Sequence, residues 1–134
     1  MRTLVRNRVA LAFAASFLTV GIPYWMIPFG SDRFSLPEAL IGPGLIVVIL
    51  AALALRALRT ASFVKVTCVL GSSVPAAAFA RVAEDVVKDP TSHNLWPFEI
   101  AIALPIGFGC ALAGAVVGSL FAFITAERGQ GENR

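Results

Sequence analysis

Charged residues divide the chain into four long apolar stretches. No Asp, Glu, Lys or Arg occurs within residues 9–27, 41–55, 66–80 or 100–126. A helix needs about 20 mainly apolar residues to cross the hydrocarbon core of a bilayer. The pattern therefore predicts an all-α membrane protein, a bundle of four transmembrane helices. Their predicted spans, with flanking residues included, are 8–28, 36–58, 62–89 and 97–125.

Two of these spans depend on local signals at their ends. Helix two is predicted to begin at the capping-box pattern of residues 35–38, in which a Ser is followed three positions later by a Glu. Helix three has a short apolar stretch and is expected to continue as an amphipathic segment to Asp89. In that segment Arg81 and Asp85 are spaced to form an ion pair on a water-facing side.

The composition agrees with the membrane class. Hydrophobic residues make up 57% of the 134 residues and charged residues 14%, whereas a soluble domain has about 25% charged residues. The length leaves room for one domain, residues 1–134, whose polar end at 126–134 is predicted to be a flexible tail. Nine of the eleven basic residues are Arg, and Ala is abundant, which favours a GC-rich bacterial genome.

The basic residues lie mainly on one side of the predicted bundle. Eight of the eleven fall in the N-terminal segment, the connection between helices two and three, or the tail: Arg2, Arg6, Arg8, Arg56, Arg59, Lys65, Arg128 and Arg134. The positive-inside rule places these segments, and hence both termini, on the cytoplasmic side of a bacterial inner membrane. Because topology explains the net charge of +3, we expect the lipid bilayer as a partner and no nucleic acid.

Helix four carries small residues at helical spacing. Gly107, Ala111, Gly114 and Gly118 recur every three or four positions, and small residues in this pattern let helix backbones approach closely in lipid. One interpretation is a face for self-association. The other is packing against the protein's own helices, which requires the same residues.

Each predicted helix also contains an internal proline, namely Pro23, Pro43, Pro75 or Pro105. A proline inside a helix kinks it and leaves the carbonyl four residues earlier without its helical hydrogen bond. Broken helices of this kind can line a transporter vestibule, although proline is simply frequent in transmembrane helices. The polar patch Gly71–Ser72–Ser73 also has two interpretations: its hydroxyls could line a small hydrated cavity, or they could hydrogen-bond to their own helix or a neighbouring one.

The loop before helix four is unusually rich in polar and aromatic residues. Asp89, His93, Asn94, Trp96 and Glu99 lie close together in the chain. We predict that they form a partner-binding surface on the outer side; the alternatives are an ordinary surface loop, helix capping by Glu99, a cation-attracting mouth, or a weak metal site around His93. We expect no metal and no cofactor.

Catalytic patterns are not evident in the sequence. The serines of helix three lie at a different depth from the one histidine, and no Gly-rich phosphate loop follows a strand, so we expect no enzyme. Size, helix count and the helix-four glycines resemble the small multidrug-resistance transporters. Those proteins depend on a membrane-embedded Glu in helix one, and this chain has none between Val9 and Ile27.

The run Gly42–Pro43–Gly44, followed by a leucine-rich helix, resembles the small membrane subunits of tripartite tricarboxylate transporters. Separately from these resemblances, the small size, the absence of charge inside the apolar stretches and the ordered-looking outer loop favour a non-catalytic accessory or structural subunit of a larger membrane complex, bound to a membrane-protein partner. The alternative is a small oligomeric transporter or channel component, in which the helix-four glycines would join copies of the chain.

Overall fold

The computed structural model describes residues 2–26, 40–88 and 96–131. Within these ranges the chain is helical, with short turns and no strand. We label the helices α1 to α5 in chain order: α1 Arg2–Trp25, α2 Pro43–Ala57, α3 Phe63–Gly71, α4 Ser73–Lys88 and α5 Trp96–Gly131. The prediction of an all-α membrane bundle is confirmed.

Three helical segments of the described chain are long and apolar enough to cross a membrane. They are Thr3–Trp25, the combined α3–α4 segment Phe63–Val87, and Trp96–Arg128. The remaining apolar helix, α2, corresponds to predicted helix two and has 15 residues. Its length is therefore about 22 Å at 1.5 Å per residue. A hydrocarbon core of about 30 Å is thicker than that, and α2 alone is therefore shorter than a full crossing.

Helix two was predicted over 36–58 with a kink at Pro43; within the described residues Leu40 is helical, the helix is interrupted at Ile41 and Gly42, and α2 follows from Pro43 to Ala57. The helix begins at Pro43, after Gly42 in an extended conformation with φ −141° and ψ 179°. Proline disfavours helical geometry in the residue before it but suits the first position of a helix, where its missing N–H needs no partner. Pro43 therefore starts α2. Residues 36–39 of the predicted span lie outside the described residues.

Helix three, predicted over 62–89, is interrupted at Ser72. Pro75 lies in the first turn of α4 and has no N–H to donate to the Gly71 carbonyl, so the helical ladder is broken one turn earlier. The chain still continues in nearly the same direction, since Ser72 has helical backbone angles and its N–H bonds to the Cys68 carbonyl at 3.2 Å. The segment ends at Lys88, next to the predicted boundary.

The outer helices extend beyond their predicted limits at the chain ends. Helix α1 begins at Arg2, six residues before the predicted start, and ends at Trp25. Helix α5 continues through Gly131, so residues 126–131 are helical where the sequence predicts a flexible tail. Ala126, Glu127 and Arg128 are good helix formers with no proline among them, which explains why the helix persists past the apolar stretch.

Helix α2 ends in a Schellman motif that places an arginine in an unusual conformation. The N–H of Thr60 bonds to the Leu55 carbonyl at 2.9 Å, and the N–H of Arg59 bonds to the Arg56 carbonyl at 3.0 Å. This motif needs a left-handed residue after the helix, usually glycine. Here Arg59 occupies that position with φ 50°, and the strained conformation directs its side chain back toward α5.

With α3 and α4 counted as one segment, successive segments run in opposite directions, which gives the bundle two distinct ends. At the terminal end, the first turns of α1, the connection 58–62 and the last turns of α5 lie together; Arg59 Nη2, for example, donates to the Ala122 carbonyl at 2.9 Å. At the distal end, the last turn of α1 meets α4 and the first turns of α5, where Trp25 Nε1 donates to the Ala77 carbonyl at 3.0 Å.

The core consists mainly of aliphatic and small side chains, and the buried ring of Tyr24 also belongs to it. Fully buried members are Val48, Ala52, Val66, Leu70, Val74, Ala77, Ala78, Ala103, Ala111 and Ala115. Helix α5 packs against α2, α3 and α4, and α1 packs against α2 and α4. Larger apolar side chains of α5, such as Leu112, Phe121 and Phe123, are exposed, as expected of a surface that contacts lipid.

Candidate functional site

The small-residue face of α5 is directed into the protein. Every buried residue of the described part of α5 is Gly or Ala: Ala103, Gly107, Ala111, Gly114, Ala115, Gly118 and Ala122. Their spacing of three to four residues places them on one side of the helix. Without a hydrophobic driving force between helices in lipid, such close backbone packing is a main source of helix association.

Three glycines of this face contact carbonyl groups of neighbouring helices. A Cβ atom added to Gly114 would overlap the Ile49 carbonyl oxygen, and one added to Gly118 would overlap that of Leu53, both in α2. A Cβ on Gly107 would overlap the carbonyl oxygen of Gly71 in α3. The structure therefore places these residues against the chain's own helices, as the packing interpretation expects and the self-association interpretation does not.

The carbonyls released by two prolines are covered by glycines. Pro75 leaves the Gly71 oxygen without its helical donor, and this oxygen lies against Gly107. In α1, Pro23 does the same for Thr19, and a Cβ on Gly44 would be 2.5 Å from the Thr19 oxygen. A glycine Cα–H is a weak donor to such an oxygen. These two breaks therefore lie within helix packing, and neither carbonyl lines an open vestibule.

The predicted polar patch of helix three bonds to its own backbone. Ser72 Oγ donates to the Val69 carbonyl at 2.8 Å, and Ser73 Oγ donates to the Leu70 carbonyl at 2.6 Å. Ser73 is fully buried. The intrahelical interpretation of this patch accounts for both hydroxyl protons. The remaining predicted kink residue, Pro105, lies inside α5, as Pro23 lies inside α1.

A cluster of charged and aromatic side chains joins three helices at the distal end. Arg81 of α4 donates through Nη1 to the Tyr24 carbonyl of α1, and its guanidinium carbon lies 4.7 Å from the centre of the Tyr24 ring. Arg81 Nε is 3.5 Å from an Asp85 carboxylate oxygen. The Tyr24 side chain also hydrogen-bonds to Glu99 of α5. We call Tyr24, Arg81, Asp85 and Glu99 the distal cluster.

The distal cluster corrects two predictions made from local spacing. The ion pair between Arg81 and Asp85 was expected on a water-facing side, yet their side chains are only 15% and 12% exposed. Glu99 lies in the first turn of α5, as a capping residue would, but it also connects that helix to α1. An arginine above an aromatic ring gains a cation–π interaction that strengthens when water is excluded, so the cluster holds the helix ends together.

Of the predicted partner-binding loop, the structure describes only the part that belongs to α5. Trp96 is 44% exposed at the start of the helix, beside the partly buried Glu99. Asp89, His93 and Asn94 lie outside the described residues. Sequence reasoning missed Tyr24 as a partner of Arg81, because the two are 57 positions apart; the available signal was an aromatic residue and an arginine at the same predicted depth.

Neither a metal-binding group nor a similarity to known proteins assigns a function to the described part of the chain. The described part of the chain holds no group of three or more His, Cys, Asp or Glu side chains that could bind a metal ion. Comparisons with protein-family models, with curated proteins and with solved structures find no match. The functional argument therefore depends on the geometry of the bundle itself.

Proposed function

We propose that the protein is a non-catalytic accessory subunit of a larger membrane-protein complex, bound through its distal end. The main support is where its polar side chains are directed. Arg56 donates to the Ser119 hydroxyl and to the Ala61 carbonyl, at 3.0 and 2.8 Å. Arg81 likewise bonds to the Tyr24 carbonyl. Groups committed to internal structure suit a scaffold better than a catalyst or a carrier.

The distal end has the features of a binding surface for a membrane protein. The distal cluster ties α1, α4 and α5 together, so the apolar side chains around it are held on a rigid support. Phe98 is 66% exposed, Phe79 is 56% exposed and Trp96 is 44% exposed. Aromatic residues near a fixed charged group are typical anchors of protein interfaces. A larger membrane protein at the same depth would bury them.

The cellular location is part of the same proposal. The terminal end carries Arg6, Arg8, Arg56, Arg59, Lys65 and Arg128. The positive-inside rule assigns this end to the cytoplasm and the distal end to the opposite side. The arginine-rich composition favours a bacterial inner membrane, so the partner would be met at the outer surface of that membrane.

Site-specific photo-crosslinking in native membranes tests the proposal. A crosslinking amino acid replaces Phe98 at the distal end, and a control replaces Leu4, which is 64% exposed at the terminal end. We expect one discrete adduct with a larger membrane protein from position 98 and none from position 4.

Adducts between copies of this chain would overturn the accessory-subunit proposal and favour the oligomeric transporter or channel component. Absence of any adduct at position 98, with the chain correctly inserted, would also overturn it.

A further inference from the structure

A cavity at the terminal end is lined by positive charge. It has a volume of about 680 Å³, and four of the eight described residues that line it are cationic: Arg6, Arg8, Arg59 and Lys65. Thr3 and Thr60 add two hydroxyl groups to its wall. No carboxylate is among the described residues that line it. Four like charges around one cavity repel each other, and an anion in the cavity would remove that repulsion.

Arg59 is held in this wall by its backbone conformation and by one hydrogen bond. Its Nη2 donates to the Ala122 carbonyl at 2.9 Å, which uses one of the five N–H donors of a guanidinium group. Its remaining donors are available to a ligand. Arginine in a fixed orientation matches the geometry of a phosphate group, which accepts two parallel hydrogen bonds.

An apolar groove continues from the cavity into the bundle. It has a volume of about 380 Å³ and shares Arg6 and Lys65 with the basic cavity. Beyond these two residues its lining is apolar, with Val9, Ala10 and Phe13 on α1 and Val69 on α3. From Arg6 to Phe13 the helix rises about 10 Å. The groove therefore leads from the charged end of the span toward the middle of the membrane.

We propose that the cavity and the groove together bind one anionic phospholipid. Its phosphate lies among Arg6, Arg8, Arg59 and Lys65, and one acyl chain lies in the groove between α1 and α3. The charge of the cavity selects an anionic phosphate, and the apolar groove, at the depth where lipid chains begin, selects a molecule that also carries a hydrocarbon chain. Basic pockets between helices at a membrane surface are a recurring mode of anionic-lipid binding.

The test uses the full chain purified in a mild detergent, with native mass spectrometry as the readout. Three probes are titrated: phosphatidylglycerol, phosphatidylcholine with the same acyl chains, and inorganic phosphate. We expect one phosphatidylglycerol per chain to survive detergent removal in the gas phase, with no comparable retention of phosphatidylcholine. Inorganic phosphate at equal concentration should not displace the bound phosphatidylglycerol.

Two pairs of variants separate this site from general attraction to a charged surface. Lys65→Gln removes a cation of the cavity, and Arg128→Gln removes a cation from the last turn of α5, which is not among the cavity's lining residues. One cation near a lipid headgroup is worth roughly a fivefold change in affinity. We expect that loss for Lys65→Gln and little change for Arg128→Gln.

The second pair tests the acyl-chain groove. Ala10→Trp fills the groove, whereas Ala14→Trp adds the same side chain to an exposed position of α1 that does not line it. Ala10→Trp should abolish retention of phosphatidylglycerol, and Ala14→Trp should not.

Three outcomes would overturn the proposal. Equal retention of both lipids would show that charge does not select the ligand. Equal losses for Lys65→Gln and Arg128→Gln would indicate general electrostatic attraction. Phosphate binding that displaces the lipid and is unaffected by Ala10→Trp would assign the cavity to a soluble anion. Lys65 is exposed, so its variant keeps the test valid should Ala10→Trp fail to fold.

Discussion

The packing of α5 against α2 predicts a large difference between two chemically identical substitutions. Gly114→Ala places a methyl group against the Ile49 carbonyl oxygen and 2.9 Å from the Ala52 Cβ. Gly109→Ala, in the same helix, places it where no atom lies within 4 Å. Both substitutions gain the same helix propensity, about 1 kcal/mol. That gain cancels in the comparison, and the difference between the variants measures the steric cost alone.

The expected cost follows from what the methyl group meets. An oversized group in a packed core costs about 1–3 kcal/mol, and a backbone carbonyl cannot rotate away as a flexible side chain could. We therefore expect Gly114→Ala to unfold with a free energy at least about 2 kcal/mol lower than Gly109→Ala. Reversible unfolding in mixed detergent micelles, followed by circular dichroism, measures both values.

Equal stabilities of the two variants would refute this reasoning, because α2 and α5 could not then be in backbone contact at Gly114. A second measurement distinguishes the self-association interpretation. If Gly114→Ala leaves the stability of the monomer unchanged but converts a dimer into a monomer in size-exclusion chromatography, the small-residue face packs between copies of the chain.

The same unfolding assay tests three further contacts. Trp25→Phe removes the hydrogen bond to the Ala77 carbonyl and should cost about 1 kcal/mol; an unchanged stability would contradict the bond. Arg81→Gln removes the ion pair with Asp85 and should cost about 2 kcal/mol, part of which the additional change Asp85→Asn should restore; additive losses would argue against coupling. Arg59→Gly should be about 1 kcal/mol more stable than Arg59→Ala, because only glycine adopts the left-handed conformation without strain; the reverse order would exclude that conformation.

The membrane class could be predicted from the sequence because the bilayer imposes a simple rule. Within lipid each backbone polar group must be hydrogen-bonded within the protein. A helix does this inside a single segment, so an apolar stretch of about 20 residues without charge implies a helix. This rule works for 9–27 and 100–126, where no tertiary information is needed. It was less accurate for 41–55 and 66–80, because Pro43 and Pro75 act on backbone geometry, to which a hydropathy pattern is insensitive.

Which helix packs against the small-residue face of α5 could not be predicted from the sequence and is given by the tertiary structure. Spacing showed that Gly107, Gly114 and Gly118 share a face, but a small residue fits equally well against a second copy or against another helix of the same chain. The choice depends on which carbonyl groups lie opposite, here those of Gly71, Ile49 and Leu53. Chain connectivity and helix length determine which carbonyl groups lie opposite, and these cannot be deduced from the local sequence.

The distal cluster likewise depends on contacts between helices. Each residue of the distal cluster has an ordinary local explanation: Tyr24 as an interfacial aromatic, Arg81 with Asp85 as a surface pair, and Glu99 as a cap. The hydropathy pattern was sufficient to place these groups near one membrane surface, because hydropathy specifies depth. Their mutual contacts follow from helix packing, because packing sets the lateral position of each group in the membrane and brings together residues far apart in the chain.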